Sequence, residues 1–144
     1  MVGAGALALI AGALGFQYLA HLPPCEMCHW QRWPHIAAAI IGLALVPFLR
    51  TRAHRLAWAT VVLVVISGLI GAYQTGTQLG ILPGPGACTV AHPYVMGSGA
   101  PPPEISCNAV TWSLFGLSLA AYNAIFSFVI AATGALFLSR KHAA

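Results

Sequence analysis

Four long apolar stretches alternate with more polar segments along the chain. They run from about Met1 to Leu22, Trp33 to Leu49, Leu56 to Leu79 and Trp112 to Leu138. Each has at least the ~17 residues that a helix needs to cross the hydrocarbon core of a bilayer. The pattern predicts an all-α membrane protein: one domain over residues 1–144, built as an antiparallel four-helix transmembrane bundle.

Two polar segments, 23–32 and 80–111, separate the first stretch from the second and the third from the fourth. Pro23 and Pro24 end the first stretch, because proline lacks the amide donor and disfavours helix in the residue before it. The second segment is rich in proline and glycine, which predicts a loop. Loops of this length in small proteins are usually functional or disordered, and we interpret this one as functional.

Composition strengthens the membrane interpretation. The 144 residues are 59% hydrophobic and 6% charged, with a mean hydropathy of +0.83, whereas soluble domains carry roughly a quarter charged residues. The net charge of +4 does not indicate nucleic-acid binding, because the basic residues lie in short clusters beside apolar stretches. Such clusters set the orientation of a membrane protein.

The basic residues predict which side each loop occupies. They cluster between stretches two and three and again after stretch four, at Arg50, Arg52, Arg55, Arg140 and Lys141. The positive-inside rule then puts both termini in the cytoplasm and segments 23–32 and 80–111 outside the inner membrane of a bacterium. Disulfides persist in that compartment.

Small residues also recur at four-residue spacing on three of the stretches, which predicts close helix packing in lipid. The three stripes are Ala4, Ala8 and Gly12; Ser67, Gly71 and Thr75; and Gly116, Ala120 and Ala124.

All four cysteines fall in the two outer segments. Cys25 and Cys28 form a Cys-X-X-Cys pair, the smallest loop that readily closes as a reversible disulfide, and Cys88 and Cys107 share the second segment. Four cysteines permit three pairings, so spacing alone does not fix the connectivity. A loop disulfide between Cys88 and Cys107 is the natural interpretation, static or exchanging, and a static Cys25–Cys28 bridge is the alternative to a reactive one.

Four other polar side chains are candidates for a ligand site or for contacts between helices. Arg32 lies one helical turn after Cys28, where its charge would stabilise a thiolate or a ligand carbonyl oxygen, or would only anchor the helix at the interface. Gln74 lies near the outer end of stretch three and would bond either a neighbouring helix or a ligand. Asn123, with Ser127 one turn later, is expected to hold helices together.

Histidines near the cysteines raise the alternative of a zinc or metal-transport site. They are His21, His29, His35 and His92. We do not predict a metal, because the Cys-X-X-Cys pair has no second closely spaced ligand pair.

Taken together, these residues resemble the DsbB family, membrane proteins that reoxidise the periplasmic thiol oxidase DsbA and pass the electrons to quinone. The resemblance covers nearly the whole chain. One motif is residues 24–32, PCEMCHWQR, and a second is residues 107–112, CNAVTW, leading into FGLSLA at 115–120 and Asn123. Cys88 matches the family's preceding loop cysteine.

The resemblance implies a relay through all four cysteines. Cys88 and Cys107 would form the disulfide that accepts electrons from a periplasmic DsbA-like thiol oxidase, with Cys88 as the sulfur attacked. Cys107 would exchange with Cys25, and Cys28 would meet the quinone, ubiquinone or menaquinone. Arg32 matches the family's quinone-side arginine.

Gln74 and Trp112 are the other candidate quinone-binding residues. Gln74 aligns with a position where many family members carry histidine. Trp112 closes the second motif, although tryptophans at this depth, like Trp30 and Trp33, also serve as interfacial anchors.

Other functions also fit parts of this pattern. A vitamin K epoxide reductase-like quinone reductase also uses four cysteines in a helical bundle, but there the loop cysteines precede the Cys-X-X-Cys pair, and here they follow it. A metal-binding membrane protein, or a structural one with static disulfides, belongs to another class. Zinc content separates the first of these, and quinone-dependent reoxidation separates the second.

Overall fold

The structure is a computed structural model that describes residues 1–85 and 106–143. The described part is mostly helical, with one small hairpin. In chain order, its elements are α1 (Val2–Tyr18), α2 (Glu26–Ile40), a π-helical turn (Ile41–Leu45), α3 (Val46–Phe48), a 3-10 turn (Arg50–Arg52), α4 (Ala53–Gln78), β1 (Ser113–Leu114), β2 (Leu117–Ser118) and α5 (Leu119–Ala143). Cys88, His92 and most of the second polar segment lie outside the described residues.

The second helix begins earlier than the apolar pattern predicts. It starts at Glu26 rather than near Trp33, so much of segment 23–32 is helical and not a loop. Cys25 is the reason: its backbone is extended, and its sulfur accepts a hydrogen bond from the amide of Cys28 at 3.2 Å. Cys25 is therefore the N-cap residue of α2, a position that serine or aspartate usually occupies. Pro34 consequently lies inside α2.

The end of the second stretch and both ends of the third agree with the prediction. From α2 the chain stays helical through the π-helical turn and α3 to Phe48, near the predicted end at Leu49. Helix α4 matches the predicted stretch from Leu56 to Leu79 within a few residues.

The fourth helix begins at Leu119 and not at Trp112, because a two-stranded hairpin precedes it. Phe115 and Gly116 have φ angles of +51° and +77°, and two consecutive positive φ values are what a tight hairpin turn requires. Ser118 then caps α5 by accepting the amide of Ala121 at 3.3 Å. Gly116 therefore belongs to a turn and not to a helical stripe.

The helices pack in antiparallel fashion around α4, which contacts α5 and α2 most extensively, while α1 packs on α2. Gly71 shows how close α4 and α5 come, because a Cβ there would lie 3.0 Å from the carbonyl oxygen of Ala120 and 3.2 Å from the amide of Ala124. These small residues were predicted to pack.

The predicted stripe on α1 is wrong. Ala4, Ala8 and Gly12 are exposed, whereas Gly3 and Ala6 are buried, and a Cβ on Gly3 would come within 3.0 Å of Gly42. The helix is therefore rotated so that Gly3 packs against the π-helical turn that follows α2 and Ala6 enters the apolar core.

Several polar side chains lie in the interior, and many large apolar side chains lie on the surface. Large apolar side chains such as Leu69, Val129 and Phe137 are more than half exposed. The buried positions include the polar side chains Gln31, His35, Thr60, Ser67, Gln74, Thr77, Ser118 and Ser127. A surface this apolar marks contact with lipid or another apolar partner. Within the described residues, Ala53–Gln78 and Leu119–Arg140 are long and apolar enough to cross a membrane.

Candidate functional site

A disulfide joins Cys25 and Cys28 at the first turn of α2, with the two Cα atoms 5.1 Å apart. Cys25 is buried, and Cys28 is partly exposed. Both sulfurs lie at the N-terminus of α2, where the helix dipole and free backbone amides favour negative charge. A helix N-terminus stabilises a thiolate, so this position suits reactive cysteines.

Gln74 reaches this disulfide from α4. Its Nε2 lies 3.0 Å from the sulfur of Cys25 and 3.7 Å from that of Cys28, while its Oε1 accepts from Nε2 of Gln31 at 2.5 Å. The side chain is almost completely buried. Gln74 therefore bonds a neighbouring helix and the redox sulfurs at the same time.

Cys107 lies close to the first pair of cysteines. It is fully buried in a cluster with Cys25 and Met27, against which Cys28 also packs. Cys107 is disulfide-bonded, and its predicted partner, Cys88, lies outside the described residues. The cluster brings together the two cysteines, Cys25 and Cys107, between which exchange was predicted.

A cavity of about 320 Å³ opens beside the disulfide. Its volume falls in the range of roughly 300–1,000 Å³ that is typical of small-molecule sites. Cys28 lines this cavity, whereas Cys25 does not. Its other polar lining residues include Gln17, Gln31, Arg32, Gln74 and Asn123. Of the two redox sulfurs, the one from Cys28 is therefore the one that a ligand in the cavity would meet.

Aromatic rings form one wall of the cavity. The ring centroids of Phe16 and Trp112 are 5.0 Å apart, and those of Trp112 and Tyr122 are 6.2 Å apart. Tyr122 stacks in turn on Phe126 at 6.2 Å. These spacings are typical of aromatic pairs, and such a wall suits a flat conjugated ring.

Arg32 provides the positive charge at the cavity. Its Nη1 donates to Oε1 of Gln17 on α1 at 2.6 Å. Its Nε is buried and has no hydrogen-bond partner among the residues that the structure describes. A buried donor without a partner costs about 1–3 kcal/mol, so this atom is a natural contact for a ligand oxygen.

Comparison with known proteins decides the family. The family described as "Disulfide bond formation protein DsbB" matches residues 1–137. The chain belongs to the DsbB family. Membership makes it a membrane thiol-disulfide oxidoreductase, as the sequence predicted, and rules against the vitamin K epoxide reductase-like alternative.

Individual DsbB relatives agree in length as well as in sequence. "Disulfide bond formation protein B" of Dechloromonas aromatica (strain RCB) is 31% identical, over 99% of this chain and 92% of the relative. The proteins of the same name from Aromatoleum aromaticum and Cupriavidus metallidurans are 30% and 29% identical, over 95% and 93% of this chain and 90% and 86% of the relatives. No solved structure gives a significant match to the chain.

The structure brings most of the predicted site residues together. Cys25, Cys28, Arg32, Gln74 and Trp112 line one cavity or its immediate border. Cys107 adjoins them through the buried cluster.

Other contributors were not predicted to belong to the site. Gln17 orients Arg32, and Gln31 connects Gln74 to Asn123, whose Nδ2 lies 2.7 Å from Oε1 of Gln31. The signal for Gln17 was available, since it is the one amide side chain in an apolar helix without charge.

His35 is buried in the helix interface, where each of its ring nitrogens has a protein partner. Its Nδ1 is 2.9 Å from the carbonyl oxygen of Gln31, and its Nε2 is 3.3 Å from Oγ of Ser127. Over the described ranges, no three His, Cys, Asp or Glu side chains come together as metal ligands.

Proposed function

We propose that this chain reoxidises a periplasmic DsbA-like thiol oxidase and passes the electrons to a membrane quinone, ubiquinone or menaquinone. The observation that carries the proposal is that Cys28 and Arg32 line one cavity beside the buried disulfide. A sulfur that exchanges electrons and a cation that stabilises developing negative charge would both favour the reduction of a quinone.

The residues around the cavity fit a quinone head group. The aromatic wall of Phe16, Trp112 and Tyr122 matches a flat ring. The Nε of Arg32, which has no hydrogen-bond partner among the described residues, matches a carbonyl oxygen. Gln17 holds the guanidinium in place from α1. A bound quinone would supply a sink for two electrons and two protons.

The electrons would follow the cysteines in order. A thiolate of the reduced partner attacks Cys88, which breaks the Cys88–Cys107 bond and leaves the electron pair on Cys107. Cys107 then attacks Cys25, which breaks the Cys25–Cys28 bond and leaves the pair on Cys28, at the cavity. The partner's second thiol then displaces Cys88 from the mixed disulfide and releases the partner as a disulfide. Cys88 attacks Cys107, which restores their bond and frees Cys25, and Cys25 and Cys28 re-form their disulfide as two electrons and two protons pass to the quinone. The net reaction converts a partner dithiol and a quinone into a partner disulfide and a hydroquinone. The packing of Cys107 against Cys25 supports the second step.

We extend the proposal to the membrane. All four long helical segments would cross the bacterial inner membrane as one domain over residues 1–144, with both termini cytoplasmic and both cysteine segments periplasmic. Support comes from the antiparallel packing and from basic residues at the opposite end to the disulfide. Labelling of reduced intact cells with an impermeant thiol reagent tests this arrangement. Reaction of Cys88 only after the inner membrane is opened would contradict it.

A cavity-filling substitution tests the quinone site. Ala13 lines the cavity from α1, so Ala13→Phe places a ring in the space that the quinone would use. We expect the KM for quinone to rise about tenfold, a loss of about 1.4 kcal/mol of binding. Formation of the mixed disulfide at Cys88 should be unchanged. The measurement is steady-state quinone reduction with saturating reduced partner across a series of quinone concentrations.

Ala11→Phe is the matched control. Ala11 lies on the same helix, is exposed and does not line the cavity. Its KM should stay at the wild-type value. Equal KM values for Ala11→Phe and Ala13→Phe would mean that the quinone binds elsewhere.

A further inference from the structure

Three side-chain amides are linked end to end between α5 and the disulfide. Nδ2 of Asn123 lies 2.7 Å from Oε1 of Gln31, and Nε2 of Gln31 lies 2.5 Å from Oε1 of Gln74. Nε2 of Gln74 then reaches the sulfurs of Cys25 and Cys28. Every amide in this row presents its oxygen to the preceding group and its nitrogen to the next, so the three dipoles point the same way.

A backbone carbonyl fixes the direction of the row. Oγ of Ser67 donates to the carbonyl oxygen of Gln31 at 2.8 Å, and a carbonyl can only accept. The hydroxyl hydrogen of Ser67 is therefore used, and Oγ offers only a lone pair to Asn123, whose Nδ2 lies 3.4 Å away. Asn123 must turn its NH2 group towards Ser67 and Gln31. Its Oδ1 faces the hydroxyl of Ser127 at 3.5 Å.

The orientation then passes along the row. Because Oε1 of Gln31 accepts from Asn123, its Nε2 faces Gln74. Because Oε1 of Gln74 accepts from Gln31, its Nε2 faces the sulfurs. A hydroxyl bond to a backbone carbonyl on α2 thus determines that a donor, and not an acceptor, meets the redox cysteines.

We propose that Gln31 and Asn123 are positioning residues that hold the Gln74 amide with its N–H groups on Cys25 and Cys28, and that this amide relay stabilises the thiolate released when their disulfide opens. A thiolate is a far stronger acceptor than a disulfide sulfur, and hydrogen bonds to charged groups are about twice as strong as neutral ones. Burial lowers the local dielectric constant, which strengthens each of these hydrogen bonds. Stabilising the reduced form makes the pair a stronger oxidant.

This inference rests on the proposed function, because it assigns the relay to the disulfide that accepts electrons from Cys107. The chemistry of the step is unchanged: the attacking thiolate bonds to Cys25, the S–S bond breaks, and the electron pair stays on Cys28. The relay adds a donor that favours this product without adding a net charge inside the membrane, where charge is expensive.

Two substitutions at one position separate polarity from packing. Asn123→Leu keeps the shape of the side chain and removes the start of the row. At alkaline pH Asn123→Asp presents a carboxylate, which only accepts, so Gln31 would turn its NH2 to Asp and its oxygen to Gln74. Gln74 would then turn its own oxygen to the sulfurs. Gln31→Glu places an acceptor beside Gln74 and should reverse the orientation of the Gln74 amide directly. It replaces the substitutions at position 123 if those variants do not fold.

The measurement is the equilibrium of the Cys25–Cys28 pair with a thiol–disulfide buffer. The full-length protein is purified without quinone or partner, and alkylated peptides are counted by mass spectrometry so that each cysteine pair is read separately. We expect Asn123→Asp to shift the equilibrium towards the disulfide about tenfold, equivalent to about 30 mV, with Asn123→Leu between it and the wild type. Thr60→Val removes a buried hydroxyl elsewhere on α4 and should match the wild type.

Equal potentials for wild type, Asn123→Leu and Asn123→Asp would overturn the relay. Equal losses in the two variants, or an equal loss in Thr60→Val, would overturn it as well, because they would reflect packing alone. Since neither quinone nor partner is present, a failure here is distinct from a failure of quinone reduction.

Discussion

Cys28→Ser should abolish quinone reduction and leave Cys25 covalently linked to Cys107. Cys28 supplies the redox sulfur that lines the large cavity, so its loss removes the group that delivers electrons there. Cys25 keeps its thiol, is buried in one cluster with Cys107, and can attack the loop disulfide in the reverse sense. The exchange releases Cys88 as a thiol. With Cys28 absent, Cys25 cannot re-form its own disulfide, so the transient Cys25–Cys107 bridge of normal turnover accumulates.

Peptide mapping of the non-reduced protein identifies the bridge. In the wild type we expect Cys25–Cys28 and Cys88–Cys107 at rest, and in Cys28→Ser we expect Cys25–Cys107. Cys25→Ser is the matched control: it should also be inactive but should not accumulate a bridge between Cys28 and Cys107. A stable Cys28–Cys88 link as the single bridge of the wild type would contradict the order of the relay.

Arg32→Met should slow quinone reduction at least about tenfold, which corresponds to about 1.4 kcal/mol of barrier. Methionine keeps much of the length and packing of the stem but removes the guanidinium, whose Nε has no hydrogen-bond partner within the part of the chain that the structure describes. Formation of the mixed disulfide at Cys88 should keep its wild-type rate, because that step does not use the cavity. Single-turnover quinone absorbance with saturating reduced partner measures the slowed step.

Arg55→Met is the control for this substitution. Arg55 is exposed near the start of α4, at the opposite end from the disulfide, so its removal costs a positive charge without touching the cavity. We expect wild-type quinone reduction in this variant. If Arg32→Met also reduced quinone at the wild-type rate at every quinone concentration, Arg32 would be an interfacial anchor and nothing more.

The redox centre could be predicted because its chemistry is local in sequence. Cys25, Cys28 and Arg32 lie within eight residues of one another, and the two prolines before them mark the boundary of the apolar stretch. Even so, the start of α2 was placed too late. Cysteine is not counted among the usual helix caps, so the bond from the Cys28 amide to the Cys25 sulfur could not be anticipated from propensity.

The contacts between helices could not be predicted in the same way. Helix α1 is apolar on every side, so the pattern does not reveal which face turns inward, and the stripe of Ala4, Ala8 and Gly12 was chosen instead of Gly3 and Ala6. The row from Asn123 to Gln74 depends on the rotations of three helices at once.

The hairpin before α5 could not be predicted from the sequence for a different reason. Leu114, Phe115 and Leu117 extend the apolar run towards the N-terminus, but the positive φ angles at Phe115 and Gly116 form a turn, so the helix starts only after it. A single glycine in an apolar stretch is weak information, because glycine is also common in membrane helices.

The most direct test of the account is a stoichiometric, anaerobic reaction of purified protein with a reduced DsbA-like oxidase and quinone. Partner disulfide is counted by thiol alkylation, and quinone is counted by absorbance. We predict one quinone reduced for each partner disulfide formed, continuing through many turnovers. Without quinone, oxidation should stop once the protein's own disulfides are used. Continued partner oxidation without quinone, or partner oxidation that leaves the quinone absorbance unchanged, would contradict a quinone-coupled disulfide oxidase.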